Sequence, residues 1–269
     1  MTHIKATSPG VRWLVKTKPR NLYTGKLLRK LTKSKPHTAG RNNQGKITTH
    51  HKGGKQKQRQ RLIDFKRNKI NVPGIIKTIE YDPNRNAFIS LIHYIDGEKK
   101  YILNNKHSKT GDCIIASETA EIKTGNAMPI KNIPIGTKVC CIENEPGKGA
   151  VYARAAGTSF TIINKCTNYC IVKTPKNELR KINNNCKATI GEIGNQDKYL
   201  EKLGKAGRNR LKGIRPTVRG VAMNPIDHPH GGGEGKTTTK RHPVNFKGKK
   251  TKGKKTRTNK RTRRQIINR

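Results

Sequence analysis

The stretch GIIKTIEYDPNRNAFISLIHYIDGEKKYIL, residues 74–103, decides the fold class. It contains short runs rich in apolar and β-branched residues, at 75–81, 87–95 and 100–103. Between these runs lie Asp82-Pro83-Asn84 and Asp96-Gly97, which are typical turn sequences, and Asp-Gly is a strong hairpin signal. Runs of this length, separated by turn residues, predict β-strands rather than helices.

The same pattern continues along the middle of the chain. A fourth run spans 112–117, and a second series follows at 138–143, 150–155, 158–163, 168–173 and 178–182. Glycine and proline residues at 125 and 134–136 lie between the two series, which predicts a domain boundary near residue 123. The best helix candidate is a short turn at 195–203. The spacing therefore predicts an all-β protein with two small barrels rather than one sandwich.

The chain is strongly basic, and most of the excess charge lies at its two ends. It has 269 residues, 60 Lys+Arg against 16 Asp+Glu, a formal net charge of +44 and only 31% hydrophobic residues. Residues 1–61 contain 17 basic and no acidic residues, 62–200 contain 21 and 13, and 201–269 contain 22 and 3. We therefore predict a basic extension 1–61, barrels at 62–122 and 123–200, and a basic extension 201–269 that includes a loop at 223–236.

Such a charge indicates a polyanionic partner, because self-repulsion destabilises a compact protein. The tail 246–269 has 12 basic residues and no acid, so we expect it to be disordered alone and to become ordered against phosphates. Motifs for duplex DNA are missing, whereas small barrels with irregular basic loops suit folded RNA. Side chains among the basic residues that are candidates for stacking on unpaired bases are Trp13, Tyr23, His37, His50 and His51.

Several common classes of protein are excluded. No apolar run is long enough to span a membrane, and residues 1–10 lack the apolar core of a secretory signal. The P-loop, the G-x-S-x-G elbow and the H-E-x-x-H helix are all missing. Gly53-Gly54 lacks the preceding strand and following helix of a phosphate-binding turn, so we interpret it as part of a basic loop whose glycines approach a backbone closely.

Six cysteines raise the alternatives of a metal site or disulfides; they lie at positions 113, 140, 141, 166, 170 and 186. None has the C-x-x-C spacing of common zinc sites, and the adjacent Cys140 and Cys141 are expected to point to opposite faces of a strand. Four of them lie in apolar strand runs, where cysteine behaves as a small hydrophobic residue. We predict reduced, structural thiols, as in an intracellular or organellar protein.

The densest local signal is MNPIDHPHGGGEGK, residues 223–236. Its prolines and glycines exclude a helix or a regular strand and allow the backbone to approach a bulky partner closely. Asp227, His228, His230 and Glu234 leave open a metal site or an acid–base pair. The flanking residues are of the phosphate-binding type, from Arg208 to Arg241, which favours a rigid loop threaded into folded RNA.

Nine ordered segments resemble the universal large-subunit ribosomal protein family known as "L two", in its bacterial and organellar form. They are GRNNQGKIT (40–48), IDFKR (63–67), IEYDPNRNA (79–87), DGEKKYIL (96–103), ARAAGT (153–158), ATIGEIGN (188–195), LGKAGR (203–208), RPTVRGVAMNPIDHPHGGGEGK (215–236) and TKGKKTRTNKR (251–261). Three departures concern local contacts. The family's usual GGGHK turn reads Gly53-Gly54-Lys55-Gln56-Lys57, its usual tryptophan after the KAGR segment is Leu211, and residues 1–37 match weakly.

The resemblance implies an oligonucleotide-binding-type barrel at 62–122, an SH3-like barrel at 123–200, and extensions that penetrate large-subunit rRNA. It also implies support for subunit association and a loop directed toward the peptidyl transferase centre. On that analogy Asp227, His228, Pro229 and His230 lie nearest the catalytic RNA. Peptide-bond formation in this family belongs to the RNA, so His228 would organise structure and the chain would not be an enzyme.

Resemblance and charge together predict a set of RNA-binding residues. They are Arg41, Asn42, Asn43, His51, Lys52, Lys55, Arg59, Arg67, Arg208, Arg215, Arg219, Asn224, His228, His230, Gly232, Lys236, Lys254, Lys255, Arg257 and Lys260. The expected partners are large-subunit rRNA, neighbouring large-subunit proteins, and the small subunit across an intersubunit bridge, with no membrane partner. No cofactor is expected beyond Mg²⁺ or K⁺ ions that belong to the rRNA.

The composition, rich in Lys, Ile and Asn, is typical of an AT-rich genome. Because no transit peptide is evident, we expect the chain to be made where it works. The segment 79–103 looks closest to plastid members, so the expected location is a plastid (chloroplast) ribosome, with bacterial cytoplasm as the alternative. Two functions from other classes stay open, a general nucleic-acid chaperone and a metal-dependent nuclease built on His228 and His230.

Overall fold

The computed structural model describes residues 2–17, 22–235 and 241–268. The strands, in chain order, are β1 Thr2–His3, β2 Val15–Lys16, β3 Thr32–Ser34, β4 Arg59–Arg61, β5 Gly74–Glu80, β6 Ile89–Tyr94, β7 Lys99–Leu103, β8 Cys113–Ile114, β9 Ala127–Pro129, β10 Lys138–Cys140, β11 Ile142–Glu143, β12 Ala150–Tyr152, β13 Phe160–Lys165, β14 Tyr169–Lys173, β15 Leu179–Asn183, β16 Lys187–Ile190 and β17 Ile266–Asn268. The helices are α1 Pro9–Arg12 and α2 Ala206–Leu211. Short 3₁₀ turns span Arg29–Leu31, Ile130–Asn132, Gln196–Leu200, Gly220–Ala222 and Arg261–Gln265.

Two compact units make up the chain. The first, which we call the barrel unit, contains residues 1–36, 57–206 and 262–269. The second, which we call the basic unit, contains residues 37–56 and 207–261. Every described strand lies in the barrel unit, and the predicted all-β class is confirmed.

The first sheet of the barrel unit has four strands in the order β7-β6-β5-β8, paired antiparallel. Residues along β5 largely alternate between buried and exposed, as expected for a strand with one face on a core. A bulge between Ile76 and Thr78 shifts the register against β6. Ile76, Ile92 and Ile102 pack together beneath this sheet, with Tyr94 and Ile114 completing the cluster.

The second sheet has seven strands in the order β17-β15-β14-β13-β10-β16-β9. Its core includes Ile130, Val139, Ile162 and Val172, all fully buried. The edge strand β17 comes from the end of the basic tail and pairs with β15. The prediction of one irregular tail over 246–269 was wrong at this strand. Its apolar pair, Ile266 and Ile267, directly follows a basic segment.

A third cluster joins the two sheets. It contains Leu91 and Tyr101 from the first sheet together with Cys140 and Ile193 from the second region. Asn105 adds polar contacts, because its amide donates to the Ile190 carbonyl at 3.3 Å and its oxygen accepts from the Cys140 thiol at 3.3 Å. The two barrels therefore pack as one body within the barrel unit.

Three buried carboxylates are used inside the barrel unit rather than offered to solvent. Glu80 accepts a hydrogen bond from the Tyr101 hydroxyl at 2.9 Å, and Asp82 accepts one from Arg85 Nε at 2.7 Å. Glu143 accepts from the backbone N–H groups of Gly147, Gly149 and Lys187 at 2.9–3.2 Å. Buried charges of this kind need partners, and these have them. They leave the exposed surface more positive than the acid count suggests.

Each of the nine predicted strand runs contains an observed strand, whereas no strand was predicted at β1 to β4, β9, β16 or β17. Of these, β9 and β16 are short and buried at most positions, so they lack the alternation that identifies a strand. The turn predicted at 195–203 is the 3₁₀ segment Gln196–Leu200. The expectation for Cys140 and Cys141 was wrong: Cys141 has φ 49°, which breaks the strand alternation, and both residues pack against the same apolar cluster.

Candidate nucleic-acid interface

The basic unit has charge without a hydrophobic core. Residues 37–56 and 207–261 contain 21 Lys+Arg and 2 Asp+Glu. Among its described residues no apolar side chain is buried, and the three apolar clusters all lie in the barrel unit. A segment of this composition cannot offset its ordering entropy by burying apolar surface. The described contacts within it are mainly backbone hydrogen bonds and turns.

Residues from opposite ends of the chain pair within the basic unit. The Gly53 N–H donates to the Gly213 carbonyl at 3.0 Å, and the Arg215 N–H donates to the His51 carbonyl at 3.0 Å. The Gln56 N–H donates to the Leu211 carbonyl at 3.2 Å, which extends the pairing. The two basic extensions thus meet in one ladder rather than extending as two separate arms.

The loop 38–49 depends on a glycine. The Gly40 carbonyl accepts from the N–H groups of Thr48 and Thr49 at 2.9 and 3.0 Å. Gly40 has φ +77°, and a Cβ there would lie 2.2 Å from the Thr49 carbonyl oxygen. Asn42 closes the tip by accepting from the Gln44 and Lys46 N–H groups. The side chains of Arg41 and Asn43 are exposed on this loop.

A cleft of about 520 Å³ lies in the basic unit between this loop and residue 215. Its lining includes Arg41, Ile47, His50, His51, Lys52 and Arg215. Gly53 and Gly54 form another part of the wall. The cleft therefore combines cations, imidazole rings, one large apolar side chain and bare backbone, without a carboxylate among its lining residues.

Internal hydrogen bonds close the glycine-rich loop. The Gly232 N–H donates to the Met223 carbonyl at 3.1 Å, and the Gly231 N–H donates to the His228 carbonyl at 2.8 Å. The His228 ring packs so closely against Gly220 that a Cβ at Gly220 would lie 2.5 Å from it. Ile226 of the same loop is 93% exposed.

Both histidines of this loop are engaged with the backbone. His228 Nδ1 accepts from the His230 N–H at 3.0 Å, and His230 Nε2 accepts from the Val244 N–H at 3.2 Å. The two ring centroids are 4.8 Å apart. One nitrogen of each ring is thus occupied as an acceptor, and no group of three or more metal-ligating side chains occurs among the described residues. This arrangement gives a metal or nuclease centre no support.

Two family models match the chain. One, described as Ribosomal Proteins L2, RNA binding N-terminal domain, matches residues 28–116, and the other, described as Ribosomal Proteins L2, C-terminal domain, matches residues 123–248. A large ribosomal subunit protein uL2 of Methylococcus capsulatus is 52% identical over 265 residues, covering 98% of this chain and 96% of that protein. The chain belongs to the ribosomal protein L2 family.

Two further L2 relatives are similar to this chain over nearly its full length. The uL2 proteins of Alcanivorax borkumensis and Burkholderia orbicola are each 51% identical, over 263 and 266 residues. They cover 98% and 99% of this chain and 96% and 97% of their own lengths. This L2-family chain is therefore a structural, non-enzymatic constituent of the large ribosomal subunit. No helix among its described residues is long and apolar enough to cross a membrane.

Most of the predicted RNA-binding residues of this L2-family chain lie in the basic unit. Those from the first extension are Arg41, Asn42, Asn43, His51, Lys52 and Lys55. Those from the second are Arg208, Arg215, Arg219, Asn224, His228, His230, Gly232, Lys254, Lys255, Arg257 and Lys260, and the loop residues Asp227 and Pro229 lie there too. Lys236 lies outside the described residues.

Two predicted residues lie in the barrel unit instead. Arg59 is exposed on β4. Arg67 is only 7% exposed, has φ 50°, and donates from Nη2 to the Gly125 carbonyl at 3.2 Å. This guanidinium is largely buried within the barrel unit, and an RNA contact of Arg67 stays a prediction.

The first sheet has a basic cluster, His93, Lys99 and Lys77, that was not predicted from the sequence. His93 pairs directly with Lys99 across β6 and β7, and Lys77 lies on neighbouring β5. Partial burial lowers the pKa of His93, and the nearby Lys99 and Lys77 lower it further. The three residues come from three strands, so only the register brings them together and no local motif could have identified them.

Proposed function

We propose that this L2-family chain binds large-subunit (23S-type) rRNA chiefly through its basic unit, while the barrel unit acts as the folded platform. The observation that supports this most is the concentration of 21 basic residues in a unit without a buried apolar side chain among its described residues. Phosphates neutralise such a surface by releasing counterions from the RNA. Folded RNA, with its crevices and unpaired bases, suits irregular loops better than duplex DNA does.

The loop 223–236 is proposed to face the peptidyl transferase centre. Close backbone packing at Gly220 and Gly231 supports a narrow, shape-determined loop, because a Cβ at either position would collide with loop atoms. His228 and His230 use ring nitrogens to hold this loop, which supports an organising role rather than an acid–base one. Asp227 and Pro229 lie on the same segment.

Contacts with neighbouring ribosomal proteins and an intersubunit bridge to the small subunit are proposed for the barrel unit. Exposed apolar side chains on its strands support protein contacts, since Val151 on β12, Ile163 on β13 and Ile267 on β17 are 47%, 42% and 45% exposed. Mg²⁺ or K⁺ ions in the assembled particle are proposed to belong to the rRNA. The division into segments 1–61, 62–122, 123–200 and 201–269 stays a prediction.

We propose a plastid ribosome as the site of action, with bacterial cytoplasm as the alternative. The Lys-, Ile- and Asn-rich composition supports a plastid origin. The relatives named above are bacterial, which favours the alternative. Subcellular fractionation of the source cells, followed by immunodetection, separates the two: the plastid proposal requires the protein in the stromal ribosome fraction.

Ultraviolet crosslinking within purified ribosomes tests the proposed RNA contact. After the extract is sedimented, the chain should travel with large subunits, and crosslinked peptides should come mainly from 37–56 and 207–261, joined to 23S-type rRNA. Crosslinks concentrated in β13 to β15 would contradict the assignment of RNA binding to the basic unit. Protein that stays at the top of the gradient would contradict the proposed function.

A further inference from the structure

The cleft in the basic unit is larger than phosphate contact requires. Its volume of about 520 Å³ falls in the range of about 300–1,000 Å³ that is typical of small-molecule sites. A surface that only follows a sugar-phosphate backbone needs cations at its rim and no concavity. The size of the cleft indicates an occupant of about the size of one nucleotide.

Two imidazole rings line the cleft, and a third ring packs against one of them. The centroids of His50 and His51 are 6.1 Å apart with an interplanar angle of 45°. Phe246 meets His50 edge-on, with centroids 6.0 Å apart and an angle of 75°. Both distances lie in the preferred 4.5–7 Å range for ring pairs. His50 is thus buttressed on two sides, while its side chain stays exposed.

The Pro216 carbonyl determines which ring nitrogen of His51 is protonated. His51 Nδ1 lies 3.0 Å from the Pro216 carbonyl oxygen, which can only accept, so Nδ1 is the protonated nitrogen. Nε2 of the neutral ring is then an acceptor for a ligand. The exocyclic amines of bases and the ribose 2′-hydroxyl supply donors of the matching kind.

The other lining residues include two apolar side chains and three cations. Ile47 is 51% exposed and lines the cleft, as Ala39 does, so a stacked base would cover apolar surface. Arg41, Lys52 and Arg215 supply the positive charge. Within the described residues the Arg215 guanidinium has no hydrogen bond or ion pair, so it is available to a phosphate oxygen.

We propose that this cleft holds one unpaired RNA nucleotide, with its base stacked on His50 and covering Ile47, and its phosphate bound by Arg215 and Arg41. The proposal deepens the rRNA-binding function proposed above and rests on it. It assigns the basic unit a contact with a single extruded base in addition to general phosphate contacts.

Adenosine monophosphate and ribose 5-phosphate, which differ in the base, are the probes for this proposal. The full-length chain is titrated with each at fixed ionic strength, and the NMR signals of the His50 and His51 ring protons are followed. Base stacking predicts that the nucleotide binds about 5- to 150-fold more tightly than the sugar phosphate. Equal affinities would show a phosphate-only site and overturn the proposal.

Variants at His50 sharpen the result. His50→Ala should abolish the preference for the nucleotide, whereas His50→Phe should keep it, because phenylalanine retains a stacking face. His107→Ala, at an exposed histidine of the barrel unit, is the matched control and should behave as wild type. A His50→Ala protein that keeps the full preference would overturn the proposal.

Binding of wild-type chain to a large-subunit rRNA fragment is measured in parallel. Loss of that binding would contradict the proposed function itself. Tight rRNA binding combined with equal affinities for the two small probes would overturn only the nucleotide cleft.

Discussion

The barrel unit and the basic unit are stabilised in opposite ways. The barrel unit buries three apolar clusters and satisfies its buried carboxylates internally. The basic unit has no buried apolar side chain among its described residues, and its contacts are mainly backbone hydrogen bonds and turns. The comparison teaches that one chain can contain a unit that folds by hydrophobic burial and a unit without such burial among its described residues, which we expect a polyanion to order.

Charge density also differs between the two units, and like charges repel within a compact body. The barrel unit contains 39 basic and 14 acidic residues over 194 residues. The basic unit contains 21 and 2 over far fewer residues. We expect the largest experimental differences between the units wherever phosphate or salt is varied.

Salt dependence of rRNA binding should show the largest effect. If about ten phosphates are engaged, affinity should fall about 10³- to 10⁵-fold between 50 and 200 mM salt. Removing three charges from the basic unit should lower the log–log slope by about 2 to 3. The variant is Lys249→Gln, Lys254→Gln, Lys255→Gln, measured by fluorescence anisotropy.

A matched variant removes three exposed lysines from the barrel unit: Lys109→Gln, Lys173→Gln, Lys176→Gln. It should leave the slope almost unchanged. Equal losses in both triple variants would break the distinction between the units. Charge substitution is preferable to deletion of 246–269, because that deletion also removes β17 from the second sheet.

Core substitution should affect only the barrel unit. Ile162→Ala, at a fully buried position, should lower the free energy of unfolding by about 2–5 kcal/mol through lost burial and a cavity. Ile226→Ala, at a position 93% exposed in the basic unit, should change it by less than about 0.5 kcal/mol. Urea unfolding followed by circular dichroism checks both. A large loss from Ile226→Ala would reveal an apolar core in the basic unit.

Gly40→Ala should weaken rRNA binding without destabilising the barrel unit. The new Cβ would lie 2.2 Å from the Thr49 carbonyl oxygen, so the loop 38–49 must rearrange. Gly45→Ala is the matched control, because its φ of +76° is nearly the same but no atom lies within 4 Å of the added Cβ. For Gly45→Ala we expect only a conformational free-energy cost of about 1–2 kcal/mol, because alanine is placed in the left-handed backbone region. Indistinguishable affinities would mean that the loop conformation does not matter to the RNA.

Ionisation of Tyr101 at alkaline pH should produce a smaller effect, located in the barrel unit. Burial, and next the hydrogen bond to Glu80, raise the pKa of Tyr101 to about 12, from an ordinary value of 10.0. The raised pKa means that this stabilisation is complete below pH 10 and is lost as the pH approaches 12. Tyr101→Phe should therefore flatten the decline in unfolding free energy between pH 10 and 11.5. An unchanged decline would exclude Tyr101 as its source.

Sequence predicted the barrel strands well because their signals are local. The alternation around Ile76 and the turn at Asp96-Gly97 identify β5 to β7 without any partner. The short strand β9 and the edge strand β17 escaped detection because only their partners, β16 and β15, define them. Pairing across the sheet is a long-range property that a local pattern does not contain.

The sequence indicated which residues belong to the candidate site but not how they are arranged in space. Their positive charge identified both extensions as candidate RNA-binding segments, and the Gly- and Pro-rich sequence of the loop drew attention to His228 and His230. Nothing local indicates that Gly53 pairs with Gly213, or that Phe246 buttresses His50, since these partners are far apart in the chain. Arg67 shows the converse, because charge alone did not indicate that this arginine is buried and donates to the Gly125 carbonyl.

Hydrogen–deuterium exchange of the full-length chain, free and bound to large-subunit rRNA, tests the central claim most directly. We predict slow exchange of β5, β6, β13 and β14 in both states, and fast exchange of 38–54 and 207–235 in the free chain that becomes slow on binding. Protection of the basic unit in the free chain equal to that of the barrel strands would contradict the account. So would an exchange pattern that rRNA leaves unchanged.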